Sequence, residues 1–379
     1  MASRLTLSFA ALGAAGVLLA GPAFAQRPGA PAAPATPPTP EAIAMSQAEL
    51  AKPRTMSGYV APRLAIGQPD LQGMWTNASL TSLTRGSEFN KLVLSDDEAK
   101  EAVEKNPLTV RQKTDDQGSA DALTKSDGKD LNSGRGYNAF WVSPGDGFGN
   151  VKGSWRTSWI VDPPSGQIPM SADGRKLQAS MAKGAPRGGF ANPEERGLGE
   201  RCIISFAGHA GPIMNNSRYY NDNFQIVQSP DAVMILLEMN HDARIIPLGK
   251  DRNDRKHRPA VMAPYMGDSI GWWEGDTLVV ETINFNPSQI AASRVPLTPA
   301  GKLTERFTRY SDDQVLYEFE VEDPALYTQV WKGEMPLNKS EGLYEYACHE
   351  GNYAMHGILA GARVNEARGL SPGGEGDSE

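Results

Sequence analysis

Tyr317, Phe319 and Val321 alternate with Glu318 and Glu320, and a period of two marks a β-strand with one face on a core and the other in water. The same kind of segment recurs at short spacing. Phe224–Gln228, a Ser229-Pro230-Asp231 turn, Ala232–Leu237 and Arg244–Leu248 read as a meander. Gly271–Trp273 and Thr277–Phe285 read as a hairpin about Glu274-Gly275-Asp276. Leu303–Tyr310 and Val315–Val321 form another about Ser311-Asp312-Asp313, and Tyr327–Leu337 is a further strand. No βαβ alternation or helical heptad competes with this pattern. The expected fold is mainly β, an antiparallel barrel (lipocalin-like) or a sandwich, over residues 137–363.

An extended N-terminal region with a few short helices is expected to lie against that β-rich domain. Residues 26–68 comprise a linker rich in Pro and Ala and a short helix over Pro40–Ala51, for which Thr39 is the cap and Pro40 the first helical residue. Within residues 69–136, Ser95-Asp96-Asp97-Glu98 is a capping box opening a helix to Lys105, closed by Asn106-Pro107. Arg111–Arg135 is polar and reads as a surface loop, and residues 364–379 read as a disordered tail.

The first residues address the chain. Arg4 precedes an apolar run from Leu5 to Ala20, then Gly21-Pro22 and the small-residue triplet Ala23-Phe24-Ala25. This order predicts a signal peptide over residues 1–25, cut before Gln26, and a periplasmic or secreted mature protein. The strongest later apolar run, Ala232–Leu237, has only strand length, so no transmembrane segment is expected. A moderate net charge of −8, spread along the chain without the Lys and Arg clustering that the phosphate backbones of nucleic acid demand, argues against nucleic acid as a partner. The only two cysteines, Cys202 and Cys348, are expected to pair in an oxidising compartment. The chain-entropy model gives a bridge closing so long a loop roughly 4 to 5 kcal/mol. The rival reading is a nucleophilic thiol at Cys348 beside His349.

Several strings look familiar: Pro69-Asp70-Leu71-Gln72-Gly73-Met74-Trp75, Glu200-Arg201-Cys202-Ile203, His241-Asp242-Ala243-Arg244-Ile245-Ile246-Pro247, Trp273-Glu274-Gly275-Asp276-Thr277-Leu278-Val279-Val280 and Tyr346-Ala347-Cys348-His349-Glu350-Gly351-Asn352-Tyr353. Together with Arg156-Thr157-Ser158 and Asp162-Pro163-Pro164, they resemble a family of exported bacterial proteins with no established activity, from about Pro69 to Arg363. The resemblance implies export and a shared fold. It carries no catalytic residue over.

Five histidines are candidates for chemistry, and two of them adjoin carboxylates, as His241-Asp242 and His349-Glu350. Neighbours on a strand face opposite ways, so function requires the two strings to meet across the fold. In that arrangement His241 or His349 is the general base, Glu350 or Asp242 orients it or acts as acid, and Arg244 stabilises negative charge. A bridge at Cys348 would hold the second string rigid. The competing reading is a buried polar network joining two loops. His241, His349 and Glu350 or Asp242 also make a conceivable metal set, although no local ligand spacing announces one and no cofactor is called for.

Gly267-Asp268-Ser269-Ile270-Gly271 has the letters of a nucleophile elbow, but a β-hairpin follows where a helix is required, so Ser269 reads as a turn residue. Gly145-Asp146-Gly147-Phe148-Gly149 likewise lacks a following helix and reads as a turn. Trp141, Trp155, Trp159, Trp272, Trp273 and Trp331 either line an apolar pocket or, the favoured reading, fill the core. The expected function is a cofactor-independent lyase, isomerase or hydrolase acting on a small hydrophobic or aromatic compound. The alternative is a non-catalytic small-molecule binding protein. Acid and base groups converging on a pocket wall would favour the first.

Overall fold

The computed structural model describes residues 37–116, 144–184, 190, 192–204, 213–215, 221–288, 293 and 295–370. The expected signal peptide, the polar stretch after Asp116, Trp141, His209 and the last nine residues lie outside them.

The strands are β1 (Gly73–Thr76), β2 (Val93–Leu94), β3 (Asn150–Val151), β4 (Ser154–Arg156), β5 (Ile160–Asp162), β6 (Asn223–Gln228), β7 (Ala232–Leu237), β8 (Ala243–Pro247), β9 (Asp268–Glu274), β10 (Thr277–Ile283), β11 (Lys302–Ser311), β12 (Gln314–Glu322) and β13 (Trp331–Lys339). Nine of them form a nearly closed antiparallel barrel in the order β8-β7-β6-β1-β13-β12-β11-β10-β9, with β5 added beside β13. Nine strands of alternating direction can close only through one parallel pair. That pair is β8 with β9, which meet at the bridge between Leu248 and Gly271. A Cβ on Gly271 would lie 3.0 Å from Ile246 and 3.1 Å from Leu248, so the close approach at the seam depends on glycine.

Alternation decides which side chains fill the barrel. Val233, Ile235 and Leu237 point inward from β7, Tyr317, Phe319 and Val321 from β12, and Trp331, Met335 and Leu337 from β13. A chain of aromatic contacts crosses this interior. Ring centroids lie 5.0 Å apart for Phe307–Tyr317, 5.8 Å for Tyr317–Phe319 and 5.8 Å for Phe319–Trp331. The lumen is thus a packed core. Trp159 and Trp331 belong to it, Trp272 to a small cluster with Ile270 and Val279, and Trp155 and Trp273 pack against buried clusters. All five behave as core residues.

The N-terminal region does more than lie against the barrel. β1 is inserted between β6 and β13, with Trp75 buried and its indole donating to the Leu71 carbonyl at 2.9 Å. From Phe224 to Leu337 consecutive strands pair antiparallel, as the turn spacing predicts, except at the parallel seam between β8 and β9. α1 (Pro40–Ala51) is capped by the Thr39 side chain, and α2 (Asp96–Lys105) carries the Ser95/Glu98 capping box, both as expected. Pro107 closes α2 and also opens α3 (Pro107–Asp116), because proline suits a first helical position as well as it ends a preceding helix. α4 (Ala172–Gly184) and α5 (Tyr353–Ala367) had no strong sequence signal, and α5 continues past Val364, where the tail was expected to begin. No helix among the described residues is long and apolar enough to cross a membrane.

A buried charge network secures the N-terminal segments to the outside of the barrel. Glu334 of β13 accepts from Lys152 at 2.6 Å and from Arg156 at 2.9 Å, and Arg156 also meets Glu49 of α1 at 2.9 Å. Breaking such a network strands a charge, which ties α1 and the β3–β4 hairpin to one position.

Candidate functional site

The segments that carry the two strings touch at one point, through the Tyr346 backbone rather than through His349 or Glu350. Cys202 and Cys348 are bonded, with Cα atoms 5.8 Å apart, and the Nδ1 of His241 lies 3.0 Å from the backbone oxygen of Tyr346. A carbonyl oxygen only accepts, so Nδ1 carries a proton, and the tautomer this contact selects places the Nε2 lone pair at an exposed position. His241 follows β7 in a tight turn in which both Asn240 (φ 61°) and His241 (φ 43°) are left-handed. Two successive non-glycine residues in that region store strain, and the contact with Tyr346 holds one of them in place.

Beside this contact is an open cleft of about 480 Å³, walled by the 199–202 turn, the 345–352 segment and the first turns of α5. The disulfide forms part of its wall, with Glu345 and Tyr346 contributing polar surface and Ala354, Met355 and Ile358 apolar surface. Glu200 is already engaged, accepting from Arg196 at 2.6 Å and from the Gly197 amide at 2.9 Å. Asn352 donates to the Glu200 carbonyl at 2.8 Å and fixes the start of α5 against the turn.

Arg244 is not part of this cleft, contrary to expectation. It shares the inward face of β8 with Ile246 and is 3% exposed. Its Nη1 donates to Glu305 Oε1 at 3.0 Å and its Nη2 to Oε2 at 2.6 Å. Tyr317 donates to the same Oε1 at 2.8 Å, and Ser269 and Thr282 share a hydrogen bond of 2.8 Å beside the guanidinium. Burial works against the Arg244 charge, but the Glu305 carboxylate outweighs it and holds the guanidinium above its ordinary range. Burial, reinforced by that carboxylate, raises the Tyr317 phenol well above its usual value. A cation already matched to a carboxylate in the core is a structural element. The buried network that competed with the catalytic reading therefore describes Arg244.

His349 and Glu350 are exposed, and among the described residues no hydrogen bond links either side chain to His241 or Arg244. Asp242 is half-buried and accepts from the Asn240 amide at 3.1 Å. Ser269 lies within β9, which turns directly into β10, so the helix that a nucleophile elbow needs is replaced by a strand.

Sequence reasoning passed over His257. Its Nδ1 lies 2.9 Å from Asp268 and its Nε2 3.1 Å from Glu281. Carboxylates only accept, so the ring satisfies both when each nitrogen donates. The partners are 11 and 24 residues away in the chain and leave no local motif. The two carboxylates flank opposite edges of one ring, which leaves no common point for a metal ion. Among the described residues no three His, Cys, Asp or Glu side chains form a metal-ligand set.

Fold and site together define a side-chain-filled antiparallel barrel with a disulfide-walled surface cleft. No family model matches the chain, and no curated protein matches it.

Proposed function

We propose that the chain is an exported protein of the periplasm or the cell exterior, and that it is a cofactor-independent lyase, isomerase or hydrolase acting on a small hydrophobic or aromatic compound. The compound binds in the cleft beside Cys202–Cys348, where Met355 and Ile358 offer apolar contact. In this reading His241, which adjoins the cleft through its contact with Tyr346, is the general base, and Glu345, one of the residues lining the cleft, is the carboxylate that returns the proton. The observation that carries this reading is the Tyr346 carbonyl at 3.0 Å from Nδ1, which fixes the tautomer that leaves Nε2 free to accept a proton. Because side chains fill the barrel, the cleft rather than the lumen is the place for a ligand.

The test is a panel of aromatic esters, lactones and enolisable ketones, offered to the wild-type protein and to His241→Ala. Turnover should fall about 10²- to 10⁴-fold in the variant, the usual contribution of a general base, with the thermal transition unchanged. Compounds that bind but are not turned over, with affinity indifferent to His241→Ala, would establish the non-catalytic binding protein instead.

A further inference from the structure

The connection from β8 to β9 takes no part in the proposed chemistry, yet it puts exposed apolar side chains and several cations into one stretch of chain. Because β8 and β9 run parallel, residues 249–267 must return along the outside of the barrel before β9 can start. The returning chain is pinned where β9 begins. His257 bridges Asp268 and Glu281, Arg252 pairs with Glu281, and the Arg258 amide donates to Asp268 at 2.7 Å. Asn284 and Asn286 hold the backbone oxygens of Arg258 and Ala263, each at 2.9 Å.

Between these anchors the chain puts apolar side chains into solvent. Val261 is 91% exposed, Met262 57% and Tyr265 37%, in a sequence that reads Pro259-Ala260-Val261-Met262-Ala263-Pro264-Tyr265. Isolated exposed apolar residues are ordinary, but a contiguous apolar tip held out by its own anchors is not. Residues 249–267 also carry five cations, Lys250, Arg252, Arg255, Lys256 and Arg258, against Asp251 and Asp254, and with Glu281 and Asp268 paired to two of the arginines a surplus of one remains in a chain whose net charge is −8. Arg252 and Arg258 are engaged with Glu281 and Asp268. Lys250, Arg255 and Lys256 are exposed and precede the apolar tip in the chain as a basic collar, with Arg255 also donating from Nε to the Leu248 carbonyl at 2.9 Å.

We propose that this loop docks the protein on an anionic lipid surface. Val261 and Met262 enter the boundary between headgroups and acyl chains, Tyr265 sits at headgroup level, and the collar meets lipid phosphates. The charge surplus selects a negatively charged surface, and the apolar tip selects a bilayer over a soluble anion. The His257 clamp keeps the loop formed before it binds, so little ordering is required at the membrane.

Sedimentation of the purified protein with vesicles tests this. It should bind vesicles containing phosphatidylglycerol and largely ignore pure phosphatidylcholine. The pair Val261→Asp with Met262→Asp should lower the partition coefficient by about tenfold or more. Replacing Lys250, Arg255 and Lys256 together by Gln should remove the preference for phosphatidylglycerol, as should high salt. Equal binding by the wild type and the Asp pair would overturn the proposal. So would a concentration-dependent dimer, abolished by the Asp pair, in a protein that does not sediment with vesicles.

Discussion

Arg244 of β8 and Glu305 of β11 join through the barrel interior, paired by two hydrogen bonds of 3.0 and 2.6 Å. β8 borders the seam on one side and β11 lies two strands beyond β9 on the other, so the pair links strands on the two sides of the closure. Arg244→Met leaves the carboxylate buried without its cation and should destabilise the protein by about 3 to 5 kcal/mol in urea unfolding. Adding Glu305→Leu to Arg244→Met should recover most of that loss, because the stranded charge is removed with its partner.

The disulfide should stabilise the fold and the cleft together. Replacing Cys202 and Cys348 by Ser is expected to cost about 2 to 4 kcal/mol, less than the full chain-entropy figure, since much of the loop is also held by the barrel. The His241 ring, whose partner Tyr346 lies two residues before Cys348, should lose its fixed tautomer in the same variant. Imidazole nitrogen shifts in NMR spectra report that change, and unaltered shifts would separate the cleft from the bridge.

Gly333 lies opposite Phe319 in the β12–β13 register, and a Cβ there would come within 2.1 Å of the ring. Trp331 packs edge-on against that ring, so it has little room to yield. Gly333→Ala should therefore cost at least about 1 to 3 kcal/mol through overpacking. Phe319→Leu should be less damaging combined with Gly333→Ala than the two separate losses predict, which a double-mutant cycle measures.

The start of α2 should respond to acid. Hydrogen bonds from Lys91 and from the Ser95 amide hold the Glu98 carboxyl at about 2, below its ordinary 4.5. A lowered folded value means that its contribution is complete above the unfolded pKa and is lost as pH falls from 4.5 toward about 2. Protection of the Ser95 and Glu98 amides, taken relative to their intrinsic exchange at each pH, should fall in that window, and Glu98→Gln should remove that change.

Local patterns account for much of the fold. The Tyr317/Glu318/Phe319 alternation marks both the strand and its inward face, and Thr39 and Ser95 cap helices where their side chains predict. Pairing of the only two cysteines followed from there being no other partner. Helix α5 was harder to foresee. It is mostly exposed, with Ala362 its one buried residue, so no strong apolar stripe announces it.

The sequence by itself determined the strand periods, the caps and the pair of sulfurs, because each depends on residues close in the chain or unique in it. Only the tertiary structure decided that β1 stands between β6 and β13, that Arg244 turns inward to Glu305, and that His257 lies between Asp268 and Glu281. Period two assigns a side chain to one of two faces, but the partner it meets there depends on which strands become neighbours when the sheet curls round and closes.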